Sequence, residues 1–379
     1  MARLQIRRAA AAAWVPAVLG LLVLGVALPA TWFGGPALDR TVIQSLINVM
    51  LVVGLYSFVG VSGVFSFGHM SFMAVGAYAT ALLTIPAVVK PFQLPDLPGF
   101  IQSAELGLLP AALIGGAMAA LFAAILAPAL MRLSGLTASL ATVALLIIVR
   151  NVAQNAESIT QGTSGLAGIP TNTTLQTVLI WSLAAIAVVW VFQRSRTGLR
   201  LQASREDEIA ARSVGIDVMR ERTLAFLLSA FIVGVAGGLF AQSIGSVTPE
   251  QFYISITFVI IAMLVIGGAT SLTGAVVGAV GISVVTEILR RVEDGFDLGV
   301  VSVPGRQGVA QVGLALILLL VLMLRPAGIT GGRELPLPRW LRSAPRERAE
   351  AERPVGGDTR DQDPVTAAIG ESVPERGRQ

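Results

Sequence analysis

Ten apolar blocks, each about as long as a membrane-spanning helix, dominate this sequence of 379 residues. A helix needs about 20 apolar residues to cross the roughly 30 Å hydrocarbon core of a bilayer. Hydrophobic residues make up 54% of the chain and charged residues 13%, a balance that does not fit a soluble domain. We therefore predict an all-α, polytopic protein embedded in a lipid bilayer, with about ten transmembrane helices near residues 13–33, 41–61, 66–86, 107–130, 134–150, 175–192, 223–244, 254–268, 271–289 and 308–324.

The 27 basic residues are distributed unevenly between the two sides of this predicted map. With the N-terminus inside, 21 of them fall on the inner side and 6 on the outer side. Arginine and lysine on short loops favour the cytoplasmic side. We therefore expect both termini and the polar residues 193–222 to lie in the cytoplasm.

The two ends of the chain differ in character. The opening MARLQIRR and the apolar stretch after it resemble a signal peptide, but Pro29 makes Leu28-Pro29-Ala30 a poor cleavage site, so an uncleaved first span is expected. Residues 331–379 hold few bulky apolar side chains and are expected to form a disordered cytoplasmic tail. Alternatively, Trp340 and Leu341 rest at the membrane surface. The transmembrane domain then covers residues 1–330, with residues 193–222 as a cytoplasmic loop within it.

Several function classes are excluded by residues that the chain lacks. A phosphate-binding loop of the GxxxxGK[ST] type needs a lysine after a glycine, and the only lysine, Lys90, lies between Val89 and Pro91. Zinc or haem ligation needs several His or Cys residues, whereas the chain has His69 alone and no cysteine. The pI of about 10.2 comes from arginines whose placement reflects topology. We therefore expect no nucleic acid partner, no metal and no cofactor bound by this chain.

Ion-coupled transport has little support in the predicted spans. Ionisable side chains deep in a membrane are costly and usually functional. Glu287 falls inside a span, but it lies near the end and beside Arg290 and Arg291, which favours an interfacial ion pair over a proton relay. What remains is a transport pathway of small polar and apolar side chains, with its energy supplied by another subunit.

The third block contains a run of glycine and serine that weakens a helix. Each glycine costs about 1 kcal/mol relative to alanine, and nearby serine hydroxyls can satisfy the freed backbone groups. A broken or re-entrant helix that borders a substrate path is one interpretation. The other is that small residues let helices approach closely. His69 either orients the break through a hydrogen bond or contacts substrate. The candidate path residues are Ser62, Gly63, Ser66, Gly68, His69 and Ser71.

The same stretch resembles a known family. SFGHMSFMAVGAYATA, from Ser66, is similar to the SFGHxxFxxxGAYxxA segment of the branched-chain amino acid ABC transporter permeases of the LivM type. The resemblance continues in order over roughly residues 40–330. Thr270 and Ala275 depart from it, because the family has glycine and proline at these positions.

The resemblance implies an ABC importer of the bacterial inner membrane with an ABC importer permease-like fold. Its partners would be a second permease subunit, two cytosolic ABC ATPases that bind the ATP, and a periplasmic substrate-binding protein. The expected cargo is a branched-chain or related small amino acid. Urea and short-amide importers use similar permeases and stay open as an alternative, with sugar permeases of a related fold more distant.

The cytoplasmic loop contains signals for a short helix at residues 205–214. Ser204 followed by Asp207 fits a helix N-cap with an acidic partner, and Gly215 fits a C-terminal stop. The AAxxxG spacing resembles the EAA loop of ABC importers, which docks on the ATPase. As an alternative, any long loop can carry a capped surface helix. The candidate ATPase-coupling residues are Glu208, Ile209, Ala210, Ala211, Val214 and Gly215.

Glycines repeat at about one-turn spacing in two later blocks and would present small-residue faces to other helices. These faces indicate tight packing inside the subunit or a seam with the partner permease. The residues are Gly234, Gly237 and Gly238 in the seventh block, and Gly274, Gly278 and Gly281 in the ninth.

Two other function classes compete with an ATP-driven permease. A self-sufficient carrier or channel has no need of a cytoplasmic coupling helix and usually keeps deep carboxylates. A membrane-embedded enzyme needs clustered acids, bases, nucleophiles or metal ligands, which the sequence does not group together. The signals for a coupling helix and the lack of deep carboxylates or clustered catalytic residues both favour the permease.

Overall fold

The computed structural model describes residues 14–25, 27, 35–293, 296–297, 302–303, 308–325 and 327–334. These residues belong to one compact unit, Ala12–Leu335. The Leu28-Pro29-Ala30 motif, the Trp340-Leu341 pair and the expected tail beyond residue 334 lie outside the described residues.

The described part of the chain is built from α-helices with two short antiparallel strand pairs. The helices are α1 (Trp14–Gly25), α2 (Pro36–Ser62), α3 (His69–Thr84), α4 (Lys90–Gln93), α5 (Gly99–Gln102), α6 (Leu108–Leu130), α7 (Gly135–Asn155), α8 (Glu157–Thr160), α9 (Leu175–Arg194), α10 (Arg196–Glu206), α11 (Glu208–Ser213), α12 (Val218–Ile244), α13 (Ile254–Gly267), α14 (Leu272–Glu293) and α15 (Val309–Leu324). Two 3₁₀ turns cover Gly162–Ser164 and Pro249–Phe252.

The strands pair in antiparallel fashion, two by two. Strand β1 (Leu166–Ala167) pairs with β2 (Ser246–Val247), so that Leu166 lies opposite Val247. Strand β3 (Phe296–Asp297) pairs with β4 (Ser302–Val303). The first pair joins the loop after α8 to the end of α12.

Local sequence signals set the helix ends. Helix α2 begins at Pro36, whose fixed φ suits a first turn, and ends at Gly63, which is left-handed with φ 74°. Asp217 caps α12 by accepting a hydrogen bond from the backbone N–H of Arg220 at 3.1 Å. At the far end of α12, Gly245 takes the left-handed conformation with φ 83°.

Helices α2 and α12 form the centre of the bundle. Of the most apolar 18-residue window in each, 83% is buried in α2 and 78% in α12, against 22% in α7. Helix α12 packs against α2, α3 and α6, and α2 also packs against α9 and α14. Helices α2 and α12 together therefore contact most of the other long helices of the bundle.

Large apolar side chains are exposed on the outer helices, where water would disfavour them. A soluble monomer rarely exposes so much apolar surface in one band, whereas lipid tails solvate it well. Examples are Ile125, Leu140, Ile148, Val191 and Leu316. This belt is the lipid-facing surface of a membrane protein.

Seven described helical segments are long and apolar enough to cross a membrane, namely Leu38–Ser62, Leu108–Leu130, Gly135–Asn155, Leu175–Arg194, Val218–Ile244, Pro249–Gly267 and Leu272–Glu293. They coincide with seven of the ten blocks. The blocks at 13–33, 66–86 and 308–324 contain the shorter described helices α1, α3 and α15. The all-α polytopic class is confirmed, while the number ten stays a prediction.

The two ends of α12 define two ends of the bundle. We call the end that carries α10 and α11 the α11 end. We call the opposite end, which carries the turn Pro249–Phe252, the Glu250 end. Helix α12 has 27 residues, so the two ends are about 40 Å apart at about 1.5 Å per residue.

Candidate functional site

A non-helical turn at residues 63–68 separates α2 from α3. The backbone N–H of Phe67 donates to Thr142 Oγ1 at 3.1 Å, and Ser139 Oγ donates to the carbonyl of Phe65 at 3.1 Å. A Cβ at Gly68 would lie 2.8 Å from the carbonyl oxygen of Thr142, which is closer than a side chain allows. The turn is therefore held against α7 by contacts that require glycine. The re-entrant form of this break stays a prediction.

His69 begins α3 and lies in a buried aromatic environment. Its Nδ1 is 2.8 Å from Ser66 Oγ, and its ring centroid lies 5.5 to 5.7 Å from those of Phe58, Phe72 and Phe226. Its Nε2 has no hydrogen-bond partner among the described residues. The bond to Ser66 links His69 to the turn, and both roles of His69, orienting the break and contacting substrate, stay predictions.

The three candidate serines lie in different surroundings. Ser62 Oγ accepts a hydrogen bond from the backbone N–H of Val64 at 3.2 Å, and Ser66 is engaged with His69. Ser71 is fully buried, and its Oγ has no partner within the described part of the chain. Ser71 also borders a cavity, which the other five candidate path residues do not. Of the six candidate path residues, Ser71 therefore lines this cavity, and the other five lie in or beside the turn at residues 63–68.

The cavity beside Ser71, which we call the Ser71 cavity, lies between α3, α7 and the turn Pro249–Phe252. It holds about 10 Å³, the space of about one water molecule. Its lining is mostly apolar and small, with three polar side chains. The lining residues are Ser71, Ala74, Tyr78, Leu146, Val149, Arg150, Ala153, Pro249 and Phe252.

An ion pair between Arg150 and Glu250 lies at the edge of this cavity. Gln154 Nε2 also donates to Glu250 Oε1 at 3.2 Å, and the guanidinium of Arg150 stands 4.1 Å from the ring centroid of Tyr253. In the sequence, Arg150 was counted only as a basic residue on the outer side, and its ion pair with Glu250 was not predicted. An arginine at the end of a predicted span is the signal that could have found it.

The polar loop at residues 193–222 contains two helices where the sequence predicted one. Helix α10 runs through Ser204, which is buried and donates its hydroxyl to the carbonyl of Leu201 at 2.8 Å. Asp207 then caps α11 by accepting from the backbone N–H groups of Ile209 and Ala210 at 2.9 and 3.0 Å. The predicted helix at 205–214 with an N-cap at Ser204 was wrong, because Asp207 has extended φ and ψ and breaks the helix there.

Helix α11 ends as the glycine predicts. Gly215 has φ 86°, its N–H donates to the carbonyl of Arg212, and the N–H of Ile216 donates to that of Ala211. These two bonds form a Schellman motif. Ala211 is buried, whereas Ile209 and Val214 are 83% and 75% exposed. The exposed apolar side chains, with Ala210 between them, form what we call the α11 face.

Glu208 ties α11 to the start of α12. Its carboxylate accepts from Arg212 at 2.7 Å and from Arg222 at 2.9 Å. Burial raises the pKa of the Glu208 carboxyl, but the hydrogen bonds from the two arginines outweigh that effect, so the pKa lies below its usual value. The carboxylate form is therefore favoured in the folded chain.

Arg205, at the end of α10, contacts the end of α2. Its Nη1 donates to the carbonyl of Gly60 at 2.8 Å, and a Cβ at Gly63 would lie 2.5 Å from Arg205 Cγ. An arginine that binds a helix C-terminus satisfies a free carbonyl and complements the dipole. The polar loop at residues 193–222 therefore contacts both central helices, α2 through Arg205 and α12 through Glu208.

Residues 328–334 pack against the α11 end of the bundle. Glu334 accepts from the backbone N–H of Leu272 at 2.8 Å and from Thr273 Oγ1 at 2.7 Å, at the N-terminus of α14. A cleft of about 200 Å³ lies beside it, bordered by Tyr56, Gln193 and Arg205. The first residues of the expected tail are thus attached to the bundle.

The glycines of α12 lie at close helix contacts within the chain. A Cβ at Gly234 would lie 2.5 Å from Ala119 Cβ in α6, and Gly237 and Gly238 lie against Met73 and Thr80 of α3. Backbone approach this close is the usual role of small residues in membrane helices.

The glycines of α14 divide into two groups. Gly274 and Gly278 lie against Gly267 of α13, with a Cβ at Gly278 only 2.7 Å from Gly267 Cα. Gly281 is exposed and has no atom within 4 Å of its Cβ position. Ala275 N–H donates to the carbonyl of Ser271 at 3.0 Å, a bond that the family's proline could not make.

The exposed apolar belt and the seven long apolar helices in the described part of the chain define a class, a multi-pass membrane protein. The chain belongs to the family of the branched-chain amino acid transport system permease component, whose model matches residues 37–324. A member of this family is a transport subunit and not itself an enzyme, and it works with ABC transporter partners.

Individual relatives agree with the family. The chain is 29% identical over 307 residues to the high-affinity branched-chain amino acid transport system permease protein LivM of Escherichia coli, covering 72% of this chain and 68% of that protein. It is 26% identical over 303 residues to a probable branched-chain amino acid transport permease protein LivH of Methanocaldococcus jannaschii, covering 78% and 91%. A shorter match, 35% over 103 residues, is to the autoinducer 2 import system permease protein LsrC of Klebsiella pneumoniae and covers 26% of this chain and 30% of that protein.

Proposed function

We propose that this chain is the permease subunit of an ATP-driven importer that moves branched-chain or closely related small amino acids across the bacterial inner membrane. The observation that carries the proposal is the α11 face. It presents Ile209 and Val214 to solvent on a polar loop between two membrane spans, in a chain whose family is a permease component. An exposed apolar pair on such a loop is suited to docking on a partner protein, which would remove it from water.

The partners are a second permease subunit, two cytosolic ABC ATPases and a periplasmic substrate-binding protein. The α11 face docks on an ATPase, which places the α11 end of the bundle in the cytoplasm. Both termini then lie in the cytoplasm as well, in agreement with the excess of basic residues, 21 against 6, on that side. The Glu250 end receives substrate from the binding protein.

The contacts of the loop supply a route for coupling. A shift of α11 acts on α12 through the Glu208–Arg222 pair at 2.9 Å. A shift of α10 acts on the end of α2 through the bond from Arg205 to the carbonyl of Gly60. Since α2 ends at the turn that leads into α3, movement of α2 also moves the candidate substrate path, residues 62–71.

The substrate class is tested by uptake in cells that lack other importers of branched-chain amino acids. Cells that express this chain with its partner subunits should accumulate labelled leucine, and unlabelled valine and isoleucine should compete with it. A tenfold or larger preference for urea or acetamide over leucine would refute the amino acid assignment and support a short-amide importer.

A further inference from the structure

Two buried hydroxyl groups on one face of α3 have no partner in the described part of the chain. They are Ser71 Oγ and Tyr78 Oη, and both residues line the Ser71 cavity. Ser71 is 0% and Tyr78 7% exposed. They lie seven residues apart, so both face the same side of the helix. A buried hydroxyl without a partner is unfavourable, which indicates that something outside the chain supplies the partner.

One charged side chain, Arg150, lines the cavity, and it is paired with Glu250, the residue after the lining residue Pro249. Arg150 is 24% exposed at its side chain, while its partner Glu250 is 60% exposed. Arg150 Nε is buried and has no hydrogen-bond partner among the described residues. The guanidinium therefore has an unused donor, and Glu250 can turn towards solvent without leaving a buried space.

We propose that the Ser71 cavity, with Arg150 and Glu250, is a recognition site for a zwitterionic α-amino acid with an aliphatic side chain. The ligand's carboxylate takes the place of Glu250 on Arg150, and the displaced Glu250 pairs with the ligand's ammonium group. The hydroxyls of Ser71 and Tyr78 provide further hydrogen bonds. The inference rests on the proposed function and locates its substrate.

The lining explains the selection of an aliphatic side chain. Ala74, Leu146, Val149 and Ala153 offer small or branched apolar surfaces, and Phe252 adds an aromatic one. At about 10 Å³ the cavity has no room for an amino acid, so the site is closed in this structure, and a ligand has to separate Arg150 from Glu250 to enter. A zwitterionic ligand opens the site because it replaces the Arg150–Glu250 pair with two pairs, Arg150 with the ligand's carboxylate and Glu250 with its ammonium group.

A neutral ligand cannot make this exchange. Urea or a short amide would separate Arg150 from Glu250 without offering a charge to either one, and an unpaired charge in a partly buried site is strongly unfavourable. A zwitterion leaves both charges paired. The site therefore discriminates by charge as well as by shape.

The test uses the whole importer in proteoliposomes, with the binding protein loaded with leucine. Arg150→Gln and Glu250→Gln are each compared with wild type by leucine uptake and by the ATPase activity that the loaded binding protein stimulates. The matched controls are Arg291→Gln and Glu287→Gln, which break a second ion pair, 3.0 Å long, in α14. We expect the two site variants to keep the stimulated ATPase activity and to lose uptake by about 10- to 100-fold, the range for a lost charge-assisted hydrogen bond. The controls should retain both.

A purely structural ion pair would behave differently. The double variant Arg150→Glu, Glu250→Arg restores an ion pair but reverses the charges that meet the ligand, so we expect assembly and stimulated ATPase activity without uptake. Recovery of uptake by this swap, or unchanged uptake in either single variant, would overturn the site. If Arg150→Gln fails to assemble, the uptake of the double variant and of Glu250→Gln decides whether the site is correct. A wild-type complex that imports no leucine would refute the proposed function, whereas wild-type import with unaffected variants would refute the site alone.

Discussion

Ala210→Asp tests the α11 face directly, because it places a carboxylate between Ile209 and Val214. Those two side chains are 83% and 75% exposed, and covering them stabilises a docked complex by about 1.5 to 3 kcal/mol each. An unpaired carboxylate in the covered contact costs about 3 to 5 kcal/mol, which offsets most of that gain. A loss of about 3 kcal/mol corresponds to roughly 100-fold weaker docking.

The substitution should leave α11 itself intact. Position 210 lies in the first turn of α11, after the cap at Asp207, where a negative charge is favoured by the helix dipole. Any loss therefore reflects docking and not unfolding of the helix. The matched control is Ala203→Asp, at an exposed position of α10 in the same loop.

The assay measures co-purification of the ATPases, stimulated ATPase activity and leucine uptake in the reconstituted complex. We expect Ala210→Asp to lose ATPase retention and uptake together, while Ala203→Asp keeps both. Equal uptake and equal retention in the two variants would show that the α11 face does not dock on the ATPase.

Four further predictions follow from the same contacts. Gly68→Leu should abolish most uptake while the subunit still reaches the membrane, because a Cβ at position 68 would lie 2.8 Å from the carbonyl oxygen of Thr142 in α7. Full uptake by this variant would show that the turn does not border the substrate path. Asp207→Ala should cost about 0.5 to 2 kcal/mol of helix stability and raise amide exchange in α11, and unchanged exchange would contradict the cap. The pKa of Glu208 is lower in the folded chain than the ordinary glutamate value of about 4.3, so its ion pairs stabilise the loop fully above that value. This stabilisation is lost as the pH falls through the lower folded pKa. Amide exchange in α11 should therefore rise with acid in wild type and not in Glu208→Gln. Single cysteines at the exposed Ser213 and at Ser343 should resist an impermeant thiol reagent added outside intact cells, and labelling there would contradict the proposed topology.

Much of the fold follows from apolar block length, because lipid leaves few alternatives to a helix. The span from 107 to 130 and α6 (Leu108–Leu130) agree within a residue. Helix boundaries in the polar loop were harder to predict. Gly198 and several arginines make α10 hard to recognise as a helix from its sequence. Ser204 and Asp207 are both typical helix caps, so only their tertiary contacts decide which of them begins a helix.

The candidate site was predictable in part. The turn at residues 63–68 follows from its glycines, since Gly63 needs a left-handed φ of 74°. The separation of Ser71 from Ser62 and Ser66 depends on how α7 packs, and the pairing of Arg150 with Glu250 joins residues 100 positions apart in sequence. Contacts of that range are not visible in local spacing.

The most direct test of the central claim, an ATP-driven permease, is leucine uptake by proteoliposomes that contain this chain, its partner permease and the ATPases, with the loaded binding protein outside. We predict uptake that requires ATP on the α11 side, that stops when a hydrolysis-deficient ATPase replaces the active one, and that persists when ion gradients are collapsed. Leucine uptake by this chain without the ATPases, driven by a proton or sodium gradient, would contradict the account and identify a self-sufficient carrier.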